Sequence, residues 1–157
     1  LHGAKQRVVI TTPYLIPDDE LLHAMETAVL SDVRLQLVIP EKSDQLLVGS
    51  AAKAYFDELL AMGVEIYLFQ QDILHSKTMS IDYDLAFLGT SNFDIRSFAL
   101  NFELNLVLYG TGETAAIRMI QEKYIAASRR LTAEEWAESP GAMRVVHGVT
   151  KLFSPLL

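Results

Sequence analysis

The chain has 157 residues, half of them hydrophobic and 21% charged, which favours a packed core and excludes a disordered tail or linker. A formal net charge of -7 repels polyanions, and no Lys/Arg run offers a local patch for nucleic acid, so no nucleic acid is favoured as a partner. Without cysteine there are no disulfides, thiolate metal sites or cysteine nucleophile, and no stretch reaches the ~18 consecutive apolar residues of a membrane span, so the chain itself reads as soluble.

The start, Leu1-His2-Gly3-Ala4-Lys5-Gln6, runs straight into a strand without a methionine, as a trimmed piece of something longer would. Arg7 to Thr12 is β-branched and reads as a buried strand, closed by Pro13 and Pro17 around a loop that holds Tyr14. Acids crowd the first turn of a predicted helix from Asp18 to Leu30, whose Leu21, Leu22, Met25 and Val29 recur at helical spacing. Val33 to Ile39 is a second predicted strand. Asp44 is expected to cap one long helix through Ala61, with Gly63 just beyond its end, and Val64 to Phe69 makes a third strand. This alternation implies right-handed crossovers and parallel strands covered on both faces.

After Phe69 the rhythm changes. His75 to Asp82 and Leu85 to Thr90 read as strands joined at Tyr83-Asp84, and Glu103 to Tyr109 as another, all antiparallel. The expected fold class is therefore α/β, a mixed, largely parallel β-sheet flanked by helices on both faces. Thr111 to Ala126 reads as a helix with Ala116, Ile120 and Tyr124 on one face, and Thr132 with Glu135 as a capping box ahead of Trp136. From Met143 onward, Val145, Val146, Val149, Leu152, Phe153 and Leu156 share a helical side, with Arg144 and Lys151 and no acid. That seam either packs against the domain or docks on an anionic membrane surface.

The chemistry concentrates between Ile73 and Glu103. His75 and Lys77, two apart on a predicted strand, leave the same face as a nucleophile and a fixed positive charge, which outlines a phosphate site. A histidine attacking phosphorus needs one free ring nitrogen, and Glu103 is the expected acceptor for the other. Lys77 would bind the non-bridging oxygens, with Thr90 and Asn92 donating further hydrogen bonds; the design requires no metal and no cofactor. His-x-Lys alone is a weak pattern, and a lone strand histidine is more often structural. The conjunction with Asp82, Gly89-Thr90-Ser91-Asn92 and Glu103 gives it weight. Asp82 has the wrong parity to join Lys77 and is expected to accept hydrogen bonds at the hairpin turn. Asp94 and Arg96 read as an ion pair shaping the loop, or Arg96 as a contact to a second phosphate. His2, His23 and His147 read as surface or packing residues.

His75-x-Lys77-x-x-x-x-Asp82, Gly89-Thr90-Ser91-Asn92 and the downstream Glu103 together resemble the catalytic signature of the phospholipase D superfamily. Thr12-Pro13-Tyr14, Asn92-Phe93-Asp94-Ile95-Arg96-Ser97, Asn101-Phe102-Glu103 and the closing Leu152-Phe153-Ser154-Pro155-Leu156-Leu157 are similar to the C-terminal catalytic half of bacterial cardiolipin synthases. The resemblance implies catalytic roles for His75, Lys77, Asp82 and Glu103, with Asn92 also matched and Thr90 standing where many members have Ser. It implies a phosphatidyltransferase that joins two phosphatidylglycerols into cardiolipin and glycerol through a phosphohistidine. The superfamily builds one site from two such motifs, because one imidazole attacks while another protonates the leaving alcohol.

Residues 1–157 are thus expected to be one phospholipase D-like domain carrying a single motif. The second motif is expected from the rest of a longer chain or from a symmetric copy. The expected setting is a bacterial cell membrane, cytoplasmic side, reached through an N-terminal region outside this chain. The rival readings are a homodimeric phosphodiesterase or nuclease on the same scaffold, and a non-catalytic half-domain.

Overall fold

The computed structural model describes residues 1–43, 46–71 and 73–138. Strand β1 (Arg7–Thr11) is fully buried beyond Arg7, as its β-branched run requires. A two-residue strand, β2 (Leu15–Ile16), follows. Helix α1 (Asp19–Leu30) begins where the Asp18 side chain accepts a hydrogen bond from Leu21 N, and it turns Leu22, Met25 and Ala28 into the core. Then comes β3 (Arg34–Pro40).

The single long helix expected up to Ala61 is instead two, α2 (Leu46–Lys53) and α3 (Phe56–Met62). Between them Ala54 N and Tyr55 N bond to the carbonyls three residues back, at 3.1 and 3.2 Å. That tightened turn re-aims the chain so that Ala51, Ala52, Tyr55, Phe56 and Leu59 all bury in one cluster. The expected cap Asp44 lies outside the described residues. Gly63 closes α3 in the left-handed region, at φ 97°.

The remaining elements are β4 (Glu65–Phe69), β5 (Thr78–Ile81), β6 (Leu85–Gly89), β7 (Phe93–Asp94), α4 (Ile95–Ala99), β8 (Asn105–Tyr109), α5 (Thr111–Ala126), β9 (Ser128–Leu131) and α6 (Ala133–Ala137). Seven strands form one sheet in the order β8-β6-β5-β1-β3-β4-β9, and β2 pairs with β7 apart from it. The sheet is mixed, as expected, but its parallel part is confined to β1, β3 and β4. The pairings β1 with β5, β5 with β6, β6 with β8 and β4 with β9 are antiparallel, so the sheet is less parallel than the sequence suggested.

Alternation along β1 separates two cores. Val8 and Ile10 join Leu35, Leu37, Ile66, Leu68 and the helices α1 to α3 on one face, while Val9 joins Val38, Tyr67, Phe69 and Leu74 beneath α5 on the other.

Three further features differ from the sequence reading or add to it. Helix α5 has the expected ends but buries Thr114, Ile117 and Gln121, while Ile120 is exposed. Gln121 faces inward because it is fully bonded there. Its Nε2 donates to Val9 O and Thr78 Oγ1, each at 3.1 Å, and Ser80 Oγ donates to its Oε1 at 2.5 Å. Strand β9 was not foreseen, because Arg129 and Arg130 break the apolar alternation. At a sheet edge they bond outward to Glu41, Glu135 and Glu65. The strand expected from His75 starts at Thr78, whose partner in β1 is Thr11; beyond that pair β1 gives way to Pro13, which has no N–H to continue a ladder. The Thr132–Glu135 capping box is present, and Trp136 is buried behind it against Phe56. The apolar seam from Met143 lies outside the described residues.

Candidate active site

The loop after β1 is folded by its own side chains. Thr12 N donates to Val38 O at 3.1 Å, Thr12 Oγ1 donates to Tyr14 O at 2.7 Å, and Phe93 N donates to Thr12 Oγ1 at 3.4 Å. These bonds set Tyr14 with its ring edge-on to His75, centroids 6.3 Å apart. Tyr14 had no assigned role from sequence beyond its place in the loop. The signal for it was an aromatic residue bracketed by Pro13 and Pro17 at the end of a buried strand.

Leu74 is buried with Val9, Val38, Tyr67 and Phe69 and pins the approach to His75, leaving the imidazole exposed. His75 and Lys77 therefore sit on an extended lead-in to β5. Lys77 Nζ donates to His75 O at 3.1 Å, and Gly89 N donates to Lys77 O at 3.2 Å, which carries the β5–β6 pairing one step past the strand.

The opposite wall comes from the ends of β6 and β8. Thr90 N donates to Leu104 O at 3.0 Å and Leu104 N donates to Thr90 Oγ1 at 3.0 Å. Gly89 permits this approach, since a Cβ there would overlap Leu104 O and lie 2.8 Å from Asn105 Cα. Thr90 Oγ1 also donates to Glu103 Oε2, and Asn101 Nδ2 donates to Glu103 Oε1 at 3.4 Å. The Thr90 hydrogen bond, against some desolvation and with help from Asn101, Ser97 and the charge of Lys77, holds the Glu103 carboxyl below the usual glutamate range.

The fold thus brings Lys77, Thr90 and Glu103 together, with His75 alongside. The expected support of the imidazole by Glu103 is not formed: among the described residues no hydrogen bond joins them, and the carboxylate is taken by Thr90 and Asn101 instead. Asn92 N donates to Ser97 Oγ at 3.1 Å, while Asn92 Oδ1 is buried with no partner among the described residues, an acceptor that a ligand hydroxyl can satisfy. Asp94 caps α4, accepting from Ser97 N at 2.7 Å.

Asp82 is not part of this cluster. It lies at the far end of β5, roughly 17 Å of strand from Lys77, where its carboxylate accepts from the backbone N–H groups of Lys5, Gln6 and Arg7 at 2.9, 2.8 and 3.0 Å. Burial pushes that carboxyl up, but the three N–H groups outweigh it and leave it below the usual aspartate range. The residue sits in the left-handed region at φ 50°, where the hairpin turns.

Residues 1–125 match a family model described as cardiolipin synthase, PLD-like domain. Cardiolipin synthase A of Pectobacterium carotovorum subsp. carotovorum (strain PC1) is 43% identical over 157 residues, and that of Klebsiella pneumoniae (strain 342) is 44% identical over 156. The chain covers 32% of each, so it spans about a third of the length of these relatives. Among solved structures, Nuc from Salmonella typhimurium, a phospholipase D family member, has a TM-score of 0.72 at 18% identity, covering 84% of this chain and 86% of that one. Phosphatidylserine synthase of Haemophilus influenzae Rd KW20 has a TM-score of 0.71 at 17% identity, covering 98% of this chain and 40% of that one. At these identities the two structures speak for the fold alone.

Proposed function

The chain belongs to the cardiolipin synthase PLD-like domain family, and from that membership we propose that it is one catalytic half of a phosphatidyltransferase. Its reaction joins two phosphatidylglycerol molecules into cardiolipin and releases glycerol. A ring nitrogen of His75 attacks the phosphorus of one phosphatidylglycerol. The N–P bond forms as the P–O bond to the terminal glycerol breaks, and a second imidazole gives its proton to the departing oxygen. The terminal glycerol hydroxyl of the other phosphatidylglycerol then attacks the phosphohistidine, its proton returns to the second imidazole, and the N–P bond breaks to free His75. Lys77 and the side-chain amide N–H of Asn92 hold the non-bridging oxygens, while the Thr90 hydroxyl, its proton given to Glu103, positions that carboxylate beside Lys77.

The observation that carries this reading is the convergence, at one sheet end, of an exposed imidazole with a lysine, a hydroxyl and an ionised carboxylate from separate segments. The second imidazole comes from another motif of the same kind, in the same protein or in a symmetric copy. Among the described residues no helix is long and apolar enough to cross a membrane. We infer that the reaction runs at the cytoplasmic face of a bacterial membrane.

The test is glycerol release from phosphatidylglycerol vesicles by the native protein, with mass spectrometry of the trapped enzyme. Release and a phosphate adduct on His75, both lost in His75→Ala, are expected. Undiminished release by His75→Ala overturns the assignment.

A further inference from the structure

Beside the phosphate-binding groups no described residue covers the sheet, and a groove of about 360 Å³ opens there. Its polar end is formed by Lys77 and Asn92, and its walls include Leu21 on α1, Phe98 on α4, and Phe87 and Val107 on the sheet. The register explains the floor. Met79 pairs with Phe87 across β5 and β6, and Phe87 pairs with Val107 across β6 and β8, so these three side chains leave one face in a row. Phe98 stands at the side with its ring edge-on to Phe93, centroids 6.1 Å apart, and it stays 49% exposed, while Val107 is 42% exposed. A second cavity of about 730 Å³ shares Met79 and Phe87 and continues down the same face toward Tyr109.

Two features say what fits this groove. Its polarity is one-sided, with cation and amide at the site end and hydrocarbon beyond. Among the described residues no Asp or Glu lines it, although the chain as a whole carries a charge of -7. An anionic head with an attached alkyl chain matches that order of groups.

We propose that this groove binds an acyl chain of the phospholipid whose phosphate lies at Lys77, the chain running over Phe87 and Val107 between Leu21 and Phe98. The ligand class rests on the phosphatidyltransferase reading, but the test does not need turnover. Dibutyroyl, dihexanoyl and dioctanoyl phosphatidylglycerol, each kept below its micelle-forming concentration, are titrated calorimetrically into the native protein and into Val107→Asp and Val107→Ile.

Affinity should rise about fourfold for each two methylenes added to a chain, roughly half of what full burial gives, because the groove is open along one side. Val107→Asp should flatten this dependence and Val107→Ile should keep it, with both variants giving native circular dichroism because Val107 lies on an exposed edge strand. No chain-length dependence in the native protein, or an equal dependence in Val107→Asp, overturns the proposal. So does a Val107→Asp variant that changes only the sedimentation of the protein, since the groove is then a contact between copies. Chain-length dependence without any transfer refutes the reaction and leaves the groove; transfer without chain-length dependence does the reverse.

Discussion

Replacing Asp82 by Asn separates its carboxylate from everything else it does. Asparagine tolerates the left-handed backbone at φ 50°, so the turn survives and only the acceptor changes. The native carboxylate takes Gln6 N and Arg7 N on Oδ1 and Lys5 N on Oδ2. An amide keeps at most the two bonds to one oxygen, at neutral strength, and turns its own N–H toward Lys5 N–H.

Hydrogen bonds to a charged acceptor contribute roughly 1.5–3 kcal/mol and neutral ones about 1. One is lost and two are weakened, and halving the sum for the partial exposure of the group leaves a cost of about 2 kcal/mol. Urea unfolding at neutral pH should show that loss.

The pH dependence has a definite sign. Because folding holds this carboxyl below its ordinary value of 3.8, its contribution is complete above that value and fades as pH falls through the lower folded one. The gap between native and variant should therefore close in acid. A cost under about 0.5 kcal/mol at neutral pH, a gap that persists in acid, or lost turnover with unchanged unfolding would refute the structural role.

Gln121→Leu leaves Val9 O without its side-chain donor and the hydroxyls of Thr78 and Ser80 without their amide partner, and should cost about 3 kcal/mol; a loss below about 1 kcal/mol in denaturant unfolding would mean that α5 is held by apolar contacts alone. Gly89→Ala forces β8 away from β6 at Leu104. Glycerol release should fall at least tenfold as Thr90 and Glu103 separate, and full activity would show that this approach is not needed. Thr90→Val removes the largest influence that lowers the Glu103 carboxyl, so the acid limb of the pH–rate profile should move up toward the ordinary glutamate value of 4.5. An acid limb that stays in place would show that ionised Glu103 is not required for turnover.

Local pattern carried much of the fold. The β-branched run of β1, the Asp18 cap, the Gly63 terminus and the Thr132–Glu135 box were all legible because each depends on residues within a few positions of itself. The break between α2 and α3 was not, since helical periodicity continues through Ala54 and Tyr55 and only the shape of the core makes the bend worthwhile. The inward face of α5 is not legible in the sequence for a related reason. Gln121 is polar, and what buries it is a set of partners on β1 and β5, at positions 9, 78 and 80.

The site divides along the same line. Sequence by itself determined which groups are present: an imidazole, an ammonium, a hydroxyl and a carboxylate at a spacing that resembles one superfamily. Only the tertiary structure decided their partners. It turned Glu103 to Thr90 rather than to His75, gave Asp82, legible in the sequence as an acceptor at the hairpin turn, the N–H groups of Lys5, Gln6 and Arg7 as its donors, and brought Tyr14 against the imidazole from a loop more than fifty residues earlier. Spacing along a strand fixes which side chains can share a face, but which of them meet depends on strand order and on where a neighbouring strand stops pairing, here at Thr11 ahead of Pro13.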